Sequence, residues 1–247
     1  MSGYLSLDSS GAGKFDLVRG RLDFSKIVSR GNDARIGSMP NERADRPIVL
    51  IVDDDAAMRA GITDLLRSVN IEASSYATTA DLLANGIPDR PCCLVLDVRL
   101  PGMSGLEFQD KLTELNVRCP IIFITGFADV PMSVRAMKAG AIDFLAKPFR
   151  DQELLDAVGS AIRTDIARRQ NDREVTELRD LAAHLSPREA EVVSAVGRGL
   201  LNKQIAFELN IAEITVKMHR SSAFRKLKAK STVDLVRKAE LLNLIKR

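Results

Sequence analysis

Residues 48–55 read Ile-Val-Leu-Ile-Val-Asp-Asp-Asp, an unbroken apolar run that ends in three consecutive carboxylates. A strand that is apolar on both faces is one covered by helices on both sides. Outward along the chain, short β-rich runs recur at Ile71–Tyr76, Cys92–Leu96, Ile121–Thr125 and Phe144–Ala146. Between them lie stretches of helical spacing such as Met58, Ile62, Leu65, Leu66 and Val69. Strands that alternate with helices in this way predict an α/β domain over residues 47–163, built on a five-stranded, doubly wound parallel sheet.

Ligands of such sheets sit beyond the C-terminal ends of the strands, which makes the polar residues there informative. Asp53, Asp54 and Asp55 follow the first predicted strand, Asp97 the third and Lys147 the fifth, while Thr125 ends the fourth. Clustered carboxylates repel one another unless a cation neutralises them, and a few hard oxygen ligands with positions left for water suit Mg²⁺ or Mn²⁺. Lys147 adds a second, movable cation. A carboxylate flanked by a metal and an ammonium can attack a phosphoryl group, because both cations offset the charge spreading over the equatorial oxygens. A hydroxyl at Thr125 can then hydrogen-bond the new phosphoryl.

Residues 184–247 contain no strand-like run and read as four helices, about 187–199, 202–209, 213–228 and 231–244. Ser186-Pro187-Arg188-Glu189 is a helix start, with serine at the N-cap, proline at the first helical position and glutamate closing a capping box. The second and third helices, joined by a short turn, have the layout of a helix-turn-helix (about Gln204 to Ala223), whose second helix enters the DNA major groove. At 100° per residue, Val216, Ala223, Phe224 and Leu227 share one face of that helix. Ile214, Lys217, Met218, Ser221, Arg225 and Lys228 share the other. Lys217, Met218 and Ser221 are placed to reach base edges, Arg225 and Lys228 to reach phosphates, and Thr215 and Lys203 are further phosphate-contact candidates. Arg220 projects toward the core side, a packing rather than a reading position.

The 247-residue chain is 45% apolar and 28% charged, the composition of an ordinary globular protein. No apolar run approaches a membrane span and the first 20 residues lack the apolar core of a secretory signal, so the expected location is cytoplasmic, without membrane contact. The net charge of +3 hides an asymmetry: residues 47–163 carry −5 and residues 184–247 carry +7. The second value is the electrostatic footprint of a phosphate-backbone binder. Residues 1–46, with six glycines and scattered serines, read as a disordered extension with one short helix near Val18–Val28. Residues 164–183 read as a polar helical linker. Cys92, Cys93 and Cys119 are odd in number with no CxxC spacing, which argues against a disulfide framework or a zinc cage and for buried, reduced thiols.

The motifs VDDD at 52–55, LVLDVRLPGMSGLE at 94–107, FITGFAD at 123–129 and FLAKPF at 144–149 resemble the receiver domain of two-component response regulators, a flavodoxin-like fold. The resemblance implies Asp97 as phospho-acceptor, Asp54 and Asp97 as metal ligands, Asp53 as a ligand through water, and the Arg99 backbone carbonyl as the third protein ligand. It further implies that Lys147 pairs with the phosphoryl group, that Thr125 and Phe144 form the switch, and that the Lys147–Pro148 bond is cis. LSPREAEV at 185–192, GLLNKQIAFELNI at 199–211 and TVKMHRSSAFRKLKAKS at 215–231 resemble the LuxR-type helix-turn-helix. The two together resemble the NarL/FixJ-type response regulators. That resemblance implies a partner histidine kinase as phosphodonor and promoter DNA as target. It also implies a homodimer formed through the 130–162 face on phosphorylation, with RNA polymerase a candidate further partner.

Two rival readings stay open at this point. One is a regulator that binds DNA without phosphorylation and uses the acidic domain as a dimerisation scaffold. The other is an Mg²⁺-dependent phosphatase with Asp97 as nucleophile, which would need a general acid two residues on, where this chain has Arg99. The expectation is therefore a non-enzyme, apart from its own phosphotransfer and slow self-dephosphorylation.

Overall fold

A computed structural model describes residues 46–127 and 129–245. The expectations for the N-terminal extension, including the helix near Val18–Val28, lie outside the described residues. Five strands, β1 (Ile48–Val52), β2 (Glu72–Tyr76), β3 (Cys92–Asp97), β4 (Ile121–Thr125) and β5 (Asp143–Ala146), form one parallel sheet in the order β2-β1-β3-β4-β5. Helices α1 (Ala56–Ser68), α2 (Thr79–Asn85), α3 (Gly105–Glu114) and α4 (Val130–Lys138) make the crossovers, and α5 (Asp151–Ala182) follows β5.

Alternation along the strands explains why β1, β3 and β4 are apolar throughout. Ile48, Leu50 and Val52 of β1 join Leu94 and Leu96 of β3 in one buried cluster with Leu82, Leu106, Phe108, Leu112 and Ala136 from α2, α3 and α4. Val49, Ile51, Val95, Ile122 and Ile124 point to the opposite face and are just as completely buried. Ile62 and Leu66 of α1 and Leu154, Ala157, Val158, Ala161 and Ile162 of α5 are buried helix residues left to cover it.

The reading of Ile71–Tyr76 as a run buried on both faces is corrected. β2 begins at Glu72, lies at one edge of the sheet and is half exposed, so Ser74 and Ser75 are tolerated there. Ile71 precedes the strand and donates its N–H to Leu66 O, ending the turn after α1.

The chain divides into two compact units between Asp165 and Ile166. The C-terminal unit holds the last part of α5 and four further helices: α6 (Pro187–Gly197), α7 (Asn202–Leu209), α8 (Glu213–Lys226) and α9 (Thr232–Leu241). Val192, Val193, Val196, Ile205, Val216, Ala223, Leu227 and Leu235 form its core, and Leu181 and Ala182 of α5 pack against it. The end of the segment read as a linker therefore belongs to the packing of this unit. α6 opens with the capping box read from the sequence, Ser186 Oγ accepting from Glu189 N at 3.2 Å and Glu189 Oε2 accepting from Ser186 N at 2.7 Å. Asn210, at φ +52°, turns the chain sharply between α7 and α8, a left-handed position that asparagine tolerates.

Helix α8 is shorter than the expected 213–228. Leu227 caps it, and Lys228 sits outside in the left-handed region at φ +49° while Ala229 N–H returns to Phe224 O. That is a Schellman turn, so Lys228 is not part of the face that carries Lys217.

Candidate functional site

The sheet register sets the first site. Val52 lies beside Leu96, Asp97 beside Ile124 and Thr125 beside Ala146, so the C-terminal ends of β1, β3, β4 and β5 stand in a row. Asp53, Asp97, Thr125 and Lys147 therefore line one edge. Lys147 Nζ donates to Asp53 Oδ2 and to Asp97 Oδ2, both at 2.6 Å, and its own N–H donates to Thr125 O at 2.7 Å. The second oxygens are also held: Asp53 Oδ1 accepts from Asp55 N and Asp97 Oδ1 from Arg99 N, each at 2.8 Å. Thr125 is fully buried, and its hydroxyl oxygen accepts from Phe127 N at 3.3 Å. The Lys147–Pro148 peptide bond is cis, as the resemblance implied.

Burial pushes the Asp53 carboxyl up, and although hydrogen bonds from Lys147 and Asp55 pull it down, it stays above its ordinary value. For Lys147 burial acts downward, but the bonds to Asp53 and Asp97 outweigh it and hold the ammonium above its ordinary value. The Lys147 direction describes an ammonium held between two carboxylates, while that of Asp53 records the cost of burying its charge.

Asp54 is exposed and makes the third member of an acidic group. One carboxylate oxygen from each of Asp53, Asp54 and Asp97 lies within 4.8 Å of the others. Among the described residues this is the one group of three or more such side chains spaced to hold a metal. Hard, anionic oxygens open to water on one side fit Mg²⁺ and disfavour a soft ion. Arg99, whose carbonyl the resemblance put among the ligands, is exposed and lays its guanidinium over the Phe127 ring, 4.3 Å from the centroid. Phe144 is partly buried, packed on the core with its ring 6.2 Å from that of Phe123.

Two residues to which the motifs assign no role support the pocket. Arg59 of α1 donates to Asp53 O at 2.7 Å and Asp54 O at 3.0 Å, fixing the backbone of the acidic loop. Asp55, the third acid of the triplet, caps α1 by accepting from Ala57 N at 2.8 Å. The second role has a sequence signal, an aspartate just before a helical run; the first has none, since an arginine at that spacing is ordinary on a helix.

The second site is the outer face of α8. Ile214, Lys217, Met218, Ser221 and Arg225 are all exposed there, while Val216, Ala223 and Leu227 are buried, the division expected from the projection. An open hollow on this face is lined by Lys217, Met218, Ser221, Ser222 and Arg225. Lys217 is paired with Glu213 at 3.3 Å, an exposed pair that a phosphate can readily displace. Thr215 is half-buried, and Lys203 is exposed on α7. Arg220 donates to Asn202 Oδ1 at 3.1 Å and to Thr232 Oγ1 at 2.9 Å, joining α7, α8 and α9.

Comparison with known proteins agrees with both halves. Residues 49–159 match the response regulator receiver domain, and residues 183–239 match the bacterial regulatory proteins of the luxR family. The chain is 51% identical over 203 residues to Nodulation protein W of Bradyrhizobium diazoefficiens, covering 82% of this chain and 89% of that protein. It is 40% identical over 191 residues to the transcriptional regulatory protein FixJ of Rhizobium meliloti, covering 77% and 94%. Among solved structures, that of response regulator StyR is similar with a TM-score of 0.69 and 46% identity, over 79% of this chain and 98% of that one. With one match on the acidic half, the other on the basic half and relatives of this identity along most of its length, the chain belongs to the NarL/FixJ-type two-component response regulators, a receiver joined to a LuxR-type DNA-binding domain.

Proposed function

We propose that Asp97 accepts a phosphoryl group from a phosphohistidine of a partner histidine kinase and that this modification controls binding of promoter DNA by α8. The observation that carries the reading is Lys147 Nζ at 2.6 Å from both Asp53 and Asp97, with Asp54 beside them, in one pocket at the strand ends. Asp53, Asp54 and Asp97 would hold Mg²⁺, with the Arg99 carbonyl as a further ligand. A bound divalent cation there supplies charge stabilisation to the transferring phosphoryl group. An Asp97 carboxylate oxygen attacks phosphorus as the P–N bond to histidine breaks, and the electron pair leaves with the imidazole.

Lys147 holds charge at the reacting oxygens. The new phosphoryl group gives its ammonium a more highly charged partner than the carboxylate it bridges in the unmodified protein. The Thr125 hydroxyl, freed to donate toward that phosphoryl, moves, and Phe144 three residues before Lys147 moves with it. The altered 130–162 face then pairs two receivers, and two α8 helices read a two-fold site. A population shift of this kind needs only a modest free-energy bias toward the paired state. Two residues beyond Asp97 stands Arg99, whose guanidinium does not give up its proton and so is no general acid, so the chain catalyses only its own phosphorylation and a slow hydrolysis.

A gel shift against a pool of genomic fragments, with Mg²⁺ and acetyl phosphate or with Mg²⁺ alone, tests this. Donor-dependent, fragment-selective binding that disappears in Asp97→Asn is the expected result. Binding that is equal with and without donor would replace phosphorylation by a constitutive scaffold role for the receiver.

A further inference from the structure

Cys92, the first residue of β3, and Cys119, two residues before β4, stand side by side. The register of β3 and β4 begins with Leu94 beside Ile121, and Cys92 and Cys119 each lie two positions before that pair. Leu94 N–H donates to Pro120 O at 2.8 Å, so the pairing persists to that end of the sheet. The two sulfurs are 3.5 Å apart, either thiol donating to the other. The spacing of adjacent strands, about 4.8 Å, falls within the Cα separation of a disulfide, about 4.4–6.8 Å, and Cys119, just outside β4, is free of the sheet ladder to adjust as the sulfurs close up. Cys92 is further held by Asp165 of α5, whose carboxylate accepts its N–H at 3.0 Å.

Access is one-sided. Cys92 is fully enclosed, whereas Cys119 forms part of the wall of a cleft of about 230 Å³ shared with Gln109, Asn116, Arg118 and Gly140. Cys93 is next to Cys92 in sequence but points to the other face of the sheet. The hydrogen bond with Cys92, and burial, hold the Cys119 thiol well above its ordinary value, so little thiolate exists at neutral pH.

We infer that Cys92 and Cys119 are a redox-sensitive pair that hydroperoxides convert to an intramolecular disulfide tying the start of β3 to the segment that leads into β4. Cys119 sulfur attacks the hydroperoxide, a sulfur–oxygen bond forms as the oxygen–oxygen bond breaks, and the alcohol leaves, giving the sulfenic acid. Cys92 sulfur then attacks Cys119 sulfur; the sulfur–oxygen bond breaks and hydroxide departs with the Cys92 proton as water. Overall, two thiols and one hydroperoxide give one disulfide, one alcohol and one water. The closed loop contains Asp97, and the bonded strands carry the phospho-acceptor and Thr125.

The test is intact mass and non-reducing peptide mapping of the full chain after treatment with hydrogen peroxide and alkylation under denaturing conditions. The expected product is a monomer two hydrogens lighter before alkylation, with one alkylated cysteine, reversed by dithiothreitol. Cys93→Ser should still form the link. Cys92→Ala and Cys92→Ser should not, accumulating overoxidised Cys119 instead. Three alkylated cysteines after treatment, oxygen added without a link, or a link that survives in Cys92→Ala would each overturn the inference. Circular dichroism of each variant separates loss of the link from loss of the fold.

Discussion

A Cβ added to Gly105 would stand 2.4 Å from the backbone carbonyl oxygen of Asp97, a backbone atom that cannot swing aside. The absence of one methyl group lets α3 begin directly against the end of β3, with Gly105 N–H bonded to Val98 O at 2.9 Å. Gly105→Ala should therefore cost about 1–3 kcal/mol, read in urea unfolding, and slow the labelling of Asp97 by acetyl phosphate as the loop shifts. Asp97→Asn, by contrast, keeps the side-chain shape and one accepting oxygen, and the bond it loses is offset by removing one of three mutually repelling carboxylates. Phosphate incorporation should vanish while the unfolding midpoint changes little; incorporation at the parent rate would remove Asp97 as acceptor. In the C-terminal unit, Glu189 is buried at the start of α6 and receives Lys226 Nζ at 2.6 Å. Burial acts to raise its carboxyl, but the bonds from Lys226, Ser222 and Ser186 prevail and bring it from 4.5 down to about 2. A depressed folded value stabilises above the unfolded one. The contribution is complete above about pH 4.5 and is lost as the pH falls toward about 2. Glu189→Ala should cost about 2 kcal/mol at neutral pH and remove that part of the acid dependence, both measurable by denaturant titration across pH.

At the scale of elements, α8 combines an apolar face that anchors it with an exposed face proposed to meet DNA, and its C-terminus is closed by a backbone turn. Its C-terminus closes through Lys228 at φ +49°, a conformation that a side chain disfavours. Lys228→Gly should stabilise the unit by about 0.5–1 kcal/mol, seen as a raised unfolding midpoint. An unchanged or lowered midpoint would mean that the lysine side chain contributes more than its backbone strain costs. The strand ends show the same economy in the receiver, where four elements each deliver one polar residue to a single edge. β1, β3 and β4 read as strands because burial on both faces keeps them apolar up to the last position, where β3 ends in Asp97 and β4 in Thr125. The edge strand β2 contains Glu72, Ser74 and Ser75 because one side of it meets solvent.

For the molecule as a whole, charge is the organising quantity. The receiver segment carries −5 and the C-terminal segment +7, so DNA is attracted to one end of the chain and repelled by the other. Binding should weaken linearly in log affinity against log salt. Arg225→Ala should weaken all duplexes alike and reduce that slope by about 1, as loss of one phosphate contact does. Lys217→Ala should weaken selected fragments more than random DNA. Equal losses on every fragment would move Lys217 from base reading to phosphate contact. Among the described residues no helix is long and apolar enough to cross a membrane.

What the sequence alone determined are the features written in local pattern. These are the number and order of strands, the acid, acid, hydroxyl and lysine at their ends, the capping box at Ser186, the turn at Asn210, and the two faces of α8. Each depends on residues a few positions apart, where side-chain period and capping chemistry leave a direct mark. The tertiary structure decided what depends on residues far apart in the chain. Lys147 chooses two carboxylates at once, Arg59 grips the carbonyls of the acidic loop, Gly105 meets Asp97, Lys226 finds Glu189 and Cys92 lies against Cys119. Such contacts follow from sheet register and helix packing, and those arise from the summed burial of many apolar side chains rather than from the residues that finally touch.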